Sequence, residues 1–321
     1  MNSACRRALG SLSIGAVILA SVLLVSPSAA SADGSPVFPG GLSTPHSSSA
    51  SRAAAELEKS GQIPGAAADR TIAAQPTAVW LGDWYSNTQL RDTVSRVLAD
   101  ARADGKTPVF VTYAIPNRDC GGYSAGGLSA SAYASWTSTL ADSLRGQASV
   151  VIVEPDALAG LSSCPQDADS RTSLLYNATK ALASSGASVY LDAGHSNWVA
   201  PTVMMQRLWN SGLQFARGFS SNVSNFNDTA SERSYDEQLR AMSGKHYVID
   251  VSRNGRGATG EWCNPRAAGL GENPRVVADG SGLDALLWVK APGESDGSCN
   301  GDPAAGQWFQ SYAETLVSNR Y

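Results

Sequence analysis

Carboxylic acids follow the apolar, β-branched runs of this sequence at the points where strands are expected to end. In VVIVEPDALA, four β-branched residues lead directly into Glu154 and Asp156. Asp119 follows the run PVFVTY, and Asp296 follows the run ALLWV. A carboxyl group that is buried, or that lies beside a second carboxyl, keeps its proton to a higher pH than an exposed one. The pattern therefore indicates a site that works by acid chemistry.

Tryptophans accompany these acids along the sequence. Trp84, Trp198 and Trp262 fall in predicted loops beside acidic residues, whereas Trp136 and Trp288 fall on apolar periodic faces and are expected in the core. The C–H face of a sugar packs on an aromatic ring, and its hydroxyls require charged or amide partners. The three loop tryptophans are therefore candidates for sugar platforms.

The charge of the chain limits its partners. The formal net charge is −4 at pH 7, and no basic patch stands out. Nucleic acids and anionic membranes are therefore not expected as partners. A neutral glycan needs no charged surface and fits this mild acidity.

The elements that must position these residues alternate along the chain. Segments of helical period, such as the one carrying Leu90, Val94 and Leu98, separate several of the apolar runs, which predicts a parallel sheet with both faces covered. The fold class is therefore α/β, and a closed or nearly closed barrel fits as well as an open sheet. The acids lie where the strands end, which is the working edge of such folds. The seven predicted strands are 77–81, 108–113, 149–153, 188–191, 215–219, 246–251 and 285–289.

Each acid also has an ordinary structural interpretation. Asp156 suits the N-cap of a helix that begins at DALAG. Asp119 could form a surface ion pair with Arg118, and Asp296 lies in the glycine-containing turn sequence GESDGSC. Each interpretation is reasonable for a single acid. Six of the seven predicted strands are followed by an acid, however, and separate structural roles explain that repetition less well than one shared site does.

The N-terminal segment is typical of an exported protein. Arg6 and Arg7 precede an apolar stretch at 12–25 that is too short for a membrane span, and Ala30-Ser31-Ala32 is a small-residue cleavage site. We therefore predict a signal peptide over 1–32, a flexible Ser/Pro/Gly-rich leader over 33–50 and a catalytic domain over 51–321. The mature protein is expected outside the cell, with no membrane contact after cleavage.

Cleavage would remove Cys5 and leave four cysteines, which in an exported chain indicates two disulfides. Sequence order suggests pairing of neighbours, although four cysteines allow three connectivities. A metal site is disfavoured, because the chain has neither C-x-x-C nor H-E-x-x-H and contains three histidines in all. No metal and no cofactor are expected. The four cysteines are Cys120, Cys164, Cys263 and Cys299.

GHSNW, at 194–198, raises the alternative of a serine esterase. A nucleophile elbow requires G-x-S-x-G, and Trp198 stands where the second glycine belongs. Serine hydrolysis is therefore a second hypothesis, with Ser196 as its nucleophile.

Longer motifs make a family resemblance specific. VTYAIPNRDCGGYSAGG and VVIVEPDALA resemble the two fingerprints of glycoside hydrolase family 6, the cellulases and cellobiohydrolases. YLDAGHSNW, GFSSNVSNF, VIDVSRNGRG, EWCNPRAAGLG and LLWVKAPGESDGSC resemble further blocks of that family in the same order. The resemblance runs from about Trp80 to the C-terminus. It implies a distorted barrel of parallel strands.

The resemblance also implies roles for individual residues. Asp156 matches the proton donor, Asp119 the acid that raises its pKa and helps to order the catalytic water, and Asp296 the acid most often proposed as base. The implied disulfides are Cys120–Cys164 and Cys263–Cys299. Positions matching sugar-binding residues are Tyr113, Trp80, Asp192, His195, Trp198, Asn222, Trp262, Lys290 and Glu294.

One position departs from the family pattern. Ala125 stands where some members carry a serine on a mobile loop that positions the catalytic water, so Ser124 or a backbone group must take over that role.

The resemblance also implies the stereochemistry of the reaction. The family inverts configuration, which requires about 6.5–9.5 Å between the acid and the base.

The loops between the paired cysteines look short, which favours an open cleft and internal cutting of a β-1,4-glucan such as cellulose. The protein is expected to be a monomer. A cellobiohydrolase of the same family and a catalytically degenerate glucan-binding protein are the alternatives.

Overall fold

The computed structural model describes residues 37–320. The predicted signal peptide lies outside the described residues, as does the beginning of the predicted leader. Within 37–320, none of the helices combines the length and the apolarity that crossing a membrane requires.

Seven parallel strands form the centre of the fold and pair in the order in which they follow one another along the chain. A short antiparallel strand, which precedes the last parallel strand in the sequence, lies at the edge of the sheet beside it. The seven predicted strands are confirmed, with shifted ends. The fifth begins at Gly218 rather than 215, because Phe215 packs its ring edge-on against Tyr176. The strands are β1 Val79–Gly82, β2 Val109–Tyr113, β3 Val150–Val153, β4 Ser188–Asp192, β5 Gly218–Ser221, β6 His246–Asp250, β7 Arg275–Val276 and β8 Leu283–Leu287.

The sheet curls until its first and last parallel strands approach each other. The Ala78 N–H donates to the Trp288 carbonyl at 3.0 Å, and the Trp80 indole N–H donates to the Val289 carbonyl at 2.8 Å. These bonds join the two edges without a continuous ladder. The result is the distorted, nearly closed parallel barrel that the family resemblance implied.

Helices cover the outer face of the barrel. Leu90, Val94 and Leu98 form the buried stripe of the helix Asn87–Ala103, as predicted, and Trp136 and Trp288 lie in the core. The helices are α1 Ser49–Lys59, α2 Ile63–Ala73, α3 Asn87–Ala103, α4 Ala130–Leu144, α5 Ala168–Ser184, α6 Pro201–Asn210, α7 Thr229–Ser243 and α8 Gln310–Ser318.

The inside of the barrel is a second apolar cluster, built from alternate strand residues such as Val111, Ile152 and Tyr190. Phe38 belongs to this cluster and is only 5% exposed. The Ser43 N–H donates to the Thr107 carbonyl at 2.9 Å. The prediction of a flexible leader is therefore wrong for residues 37–50, because an apolar side chain in that segment fills the barrel and backbone bonds hold the segment against it.

Two disulfides join loops at the carboxyl ends of the strands. Cys120 pairs with Cys164, and Cys263 pairs with Cys299, as the resemblance implied. Cys120 directly follows Asp119, and Cys263 directly follows Trp262. Each bridge therefore limits the movement of a segment that carries a predicted site residue.

The position of Phe38 can be tested by truncation. Phe38→Ala removes a ring from the barrel interior and should lower the free energy of unfolding by about 3 kcal/mol. The control Ile63→Ala truncates a side chain that is 58% exposed and should change it little. Urea unfolding followed by tryptophan fluorescence gives both values, and equal effects of the two substitutions would contradict the assignment of residues 37–50 to the folded domain.

Candidate active site

The acids at the strand ends fall into two groups with different surroundings. Glu154, Asp192 and Asp250 are buried, and their oxygens accept bonds from backbone N–H groups. Asp119, Asp156 and Asp296 line one large cavity at the carboxyl ends of the strands. The first group holds loops in place, and the second group faces the cavity.

Glu154 connects the end of β3 to the segment after β2. The Ala114 N–H contacts both carboxylate oxygens, at 3.1 and 3.0 Å, and the Ile115 N–H donates to one of them at 3.2 Å. Burial raises the pKa of Glu154, and these backbone donors oppose the rise. Sequence analysis assigned no role to Glu154, although it helps to fix the start of the loop that carries Asp119.

Asp192 does not occupy the sugar-binding position predicted for it. Its side chain is buried, and Oδ1 accepts the N–H groups of Asp156 and Gly194, at 3.0 and 2.9 Å. Asp192 is absent from the cavity wall within the described residues. The prediction of a direct sugar contact is therefore corrected: Asp192 holds the backbone of Asp156.

Asn222 is corrected for the same reason. It is fully buried, and its amide group donates to the carbonyls of Asn227 and Asp250 at 3.0 and 2.9 Å. Its side-chain oxygen accepts the Asn227 N–H at 3.1 Å. These bonds occupy the side chain in the connection after β5, away from the cavity wall.

Asp250 performs a similar task between three strands. Its carboxylate accepts the N–H groups of Ser224, Ser252, Val289 and Lys290. These residues follow β5, β6 and β8. One buried carboxylate therefore connects the loops that follow these three strands.

Asp156 lies half-buried on the cavity wall, with a left-handed backbone (φ 68°). Burial raises its pKa to about 7, with further contributions from the negative charges of Asp119 and then Asp296. The predicted rise is present, but its causes rank differently from the expectation, because burial exceeds the effect of Asp119. No α-helix begins at Asp156: a turn and a 3₁₀ helix over Ala159–Ser162 follow, so the N-cap interpretation is wrong.

Asp119 is held by Ser124, the residue before Ala125, where the sequence departs from the family pattern. Its Oδ2 accepts both the N–H and the hydroxyl of Ser124, at 2.8 and 2.9 Å. The Tyr113 hydroxyl lies 2.8 Å from the Ser124 hydroxyl. Ser124 thus joins Asp119 to Tyr113, whereas Ala125 has no hydroxyl to contribute.

Arg118 does not pair with Asp119, which excludes the plain surface ion pair. Its guanidinium contacts Asp83 at 2.5 Å and donates to the carbonyls of Tyr113 and Ser124, at 2.7 and 2.8 Å. The cation also lies over the Tyr113 ring, 4.5 Å from its centroid. Arg118 is buried and binds backbone carbonyls of this loop, so the Asp119 carboxylate remains free of Arg118 and faces the cavity.

Asp296 is ionised and closely paired. Arg253 and the Asn264 N–H donate to its Oδ2 at 2.8 and 3.0 Å, and the Lys290 ammonium lies 3.7 Å from its Oδ1. Burial alone would raise the pKa of Asp296, but the charges of Arg253 and Lys290 outweigh burial and hold it below its ordinary value. Sequence analysis missed Arg253 and Asn264, because nothing in the sequence indicates which loop approaches Asp296.

The cavity has a volume of about 1630 Å³, and aromatic side chains line it together with the three acids. Trp80 meets Tyr113 edge-on at 5.1 Å between centroids. Trp198 and Trp262 are exposed, and the Trp262 ring lies 5.8 Å from that of Tyr123. The structure thus brings these predicted platforms to one cleft.

The remaining predicted sugar-binding residues also line this cleft. Burial lowers the pKa of His195 to about 4, so the ring is neutral above that pH. Its Nδ1 lies 3.3 Å from the Asn197 N–H, which leaves the Nε2–H as a donor toward the cleft. Burial lowers the pKa of Lys290. Glu294 accepts the Ser49 hydroxyl at 2.7 Å, which links α1 to the cleft wall.

The serine-esterase hypothesis lacks its nucleophile–base pair. The Ser196 hydroxyl donates to Glu232 at 2.6 Å, and Glu232 also accepts the Ser196 N–H. The hydroxyl is therefore committed to a buried carboxylate rather than to His195. Among residues 37–320, no three His, Cys, Asp or Glu side chains are grouped as metal ligands.

Comparison with known proteins gives a consistent result. Endoglucanase A of Cellulomonas fimi is 50% identical over 249 residues, which is 77% of this chain and 55% of that protein. The chain thus spans about half the length of that relative. Endoglucanase 1 of Streptomyces halstedii is 40% identical over 308 residues, covering 91% of this chain and 92% of that protein.

A solved structure agrees with both. The endoglucanase Cel6 of Mycobacterium tuberculosis, in complex with methyl-cellobiosyl-4-deoxy-4-thio-β-D-cellobioside, superposes with a TM-score of 0.81 at 39% identity, covering 87% of this chain and 96% of that one. The family model described as Glycosyl hydrolases family 6 matches residues 42–320. Because this match takes in almost every residue of the folded barrel, the chain belongs to glycosyl hydrolase family 6.

Proposed function

We propose that this protein is an inverting endo-β-1,4-glucanase that cuts cellulose and related β-glucans at internal bonds. The observation that carries the proposal is Asp156, a half-buried acid with a pKa of about 7 that faces a cleft lined with tryptophans. A carboxyl group in that state can protonate the leaving oxygen of a glycosidic bond near neutral pH.

The other two cleft acids take complementary roles in this proposal. Asp296 supports positive charge at the anomeric carbon and is a weak proton acceptor, because Arg253 and Lys290 already stabilise its charge. Asp119 is better suited to receive the proton of the water. Its Oδ1 accepts no hydrogen bond from residues 37–320, and its Oδ2 is joined to the Ser124 hydroxyl. The separation expected for inversion, about 6.5–9.5 Å between donor and acceptor, stays a prediction.

Internal cutting is favoured by the endoglucanases to which the chain is similar, at 50% and 40% identity. The loops from β2 and β6 meet where Tyr123 contacts Trp262. Both rings line the cavity that contains the three acids. The substrate tests below separate internal cutting from cutting at chain ends.

Export and a monomeric state complete the proposal. Two disulfides within the described residues suit an oxidising compartment outside the cell. The three acids and the aromatic platforms line one cleft formed by a single chain, so catalysis requires no second copy.

Removing the donor should separate catalysis from binding. Asp156→Asn should reduce turnover on carboxymethylcellulose by about 10²–10⁴-fold, since the leaving oxygen loses its acid, while cello-oligosaccharide affinity persists. The exposed control Asp92→Asn should behave as the wild type. Full hydrolysis by Asp156→Asn would remove Asp156 from its role, and a wild type that binds glucan without releasing reducing ends would favour the degenerate binding protein.

The wild-type reaction also reports the cutting mode. Internal cutting should lower the viscosity of soluble cellulose steeply for few new reducing ends. A slow fall in viscosity at the same number of reducing ends would instead support a cellobiohydrolase.

The contribution of Asp119 should be visible in the pH profile. Activity should fall as pH rises through about 7, where Asp156 loses its proton. In Asp119→Asn, the neighbouring negative charge is gone, so this alkaline limb should move to lower pH in the residual activity. The measurement is kcat/KM against pH for both proteins, and a limb that does not move would show that Asp119 leaves the donor unaffected.

A further inference from the structure

Trp84 is a large exposed ring in the cleft that matches none of the sugar-binding positions supplied by the family resemblance. It follows β1 by two residues, lines the same cavity as Asp156 and is 51% exposed. An exposed tryptophan face inside a sugar-binding cleft is a surface on which another sugar can stack.

The Trp84 ring packs against the backbone of Gly82. A Cβ on Gly82 would lie 2.1 Å from the Trp84 ring, so the indole occupies the space that any other side chain would fill. The indole therefore rests directly on the strand backbone. A ring already held against the strand loses little conformational freedom when a ligand covers its other side.

Trp84 is also connected to the catalytic end of the cleft. The Arg118 guanidinium lies 5.8 Å from the Trp84 centroid and 4.5 Å from the Tyr113 centroid. The same cation is anchored by Asp83 and by the Tyr113 carbonyl. Trp84 and Tyr113 thus share one buried cation, which makes their relative position a property of the fold.

We propose that Trp84 forms a distal subsite that binds a glucosyl unit of a long β-glucan on the β1 side of the cleft. The proposal deepens the proposed function and rests on it. Burial raises the pKa of the Tyr113 hydroxyl, and Tyr113 lies close enough to Asp156 and Asp119 for their charges to raise it further. Trp80 meets the Tyr113 ring edge-on. Trp84 is linked to Tyr113 through Arg118 and is far more exposed than Tyr113, which places it toward the open side of the cleft in this proposal. Chains long enough to reach Trp84 gain a stacking contact that shorter chains lack, so this residue sets a preference for longer substrates.

Binding can be measured without turnover in the Asp156→Asn background. Calorimetric titration with cello-oligosaccharides from cellotriose to cellohexaose should show that Trp84→Ala weakens the longest ligands by about 3- to 10-fold, the value of one aromatic contact. The shortest ligands should bind unchanged, and Trp84→Phe should recover most of the loss. The matched control is Trp209→Ala, which removes a tryptophan that is 39% exposed and lies outside the cavity wall.

The supporting glycine offers an independent test. Gly82→Ala places a methyl group where the indole lies and should displace the ring, giving the same length-dependent loss as Trp84→Ala. With active enzyme, the loss should appear in KM for long substrates, with kcat nearly unchanged.

The outcomes distinguish this proposal from the proposed function. A wild type that binds cellohexaose but does not cleave it would contradict the glucanase assignment, while the titrations would still decide the role of Trp84. Equal losses for short and long ligands would overturn the distal subsite, because the ring would then act on the whole cleft. No loss for any ligand, or the same loss in Trp209→Ala, would overturn it as well.

Discussion

The cost of placing a negative charge on Asp156 is the constraint on which the rest of this structure depends. Raising the pKa of Asp156 from 3.8 to about 7 corresponds to about 4 kcal/mol against its charged form. Burial supplies the largest part, and the charges of Asp119 and Asp296 add to it. Because the pKa of the folded state lies above the ordinary value, stability linked to this group is present below pH 3.8 and is lost as pH rises through about 7. At a pH above about 7, the ionised form of Asp156 therefore destabilises the folded state, and the remaining interactions of the fold must offset this free energy.

The loops around Asp156 are held in place by buried carboxylates of another kind. Glu154, Asp192 and Asp250 end or follow three strands, and each accepts backbone N–H groups from neighbouring loops. A buried carboxylate without such donors would be strongly unfavourable, so these bonds define where each loop can lie. Glu154 and Asp156 both have positive φ, a conformation that persists only when the surroundings impose it. The bonds to these buried acids therefore fix the backbone around Asp156 at the end of β3.

The sequence predicted the architecture well because strand and helix periods are local signals. It also located the acids at the working edge of the sheet, and the family resemblance selected Asp156 among them. The family resemblance assigned sugar contacts to Asp192 and Asn222, but both side chains are buried and bonded to backbone groups, which a match in sequence position cannot reveal. Arg253 and Phe38 were missed for a related reason: their partners, Asp296 and the barrel interior, are distant in sequence.

The protonation state of Asp156 can be observed directly. With ¹³C-labelled aspartate, the side-chain carboxyl resonance that disappears in Asp156→Asn identifies this residue, and its shift can be followed from about pH 3 to about pH 9. The account predicts a midpoint near 7 in the folded protein. A midpoint near the ordinary value of 3.8 would mean that Asp156 is already ionised in mildly acidic solution, and it would contradict the role of this residue as the proton donor.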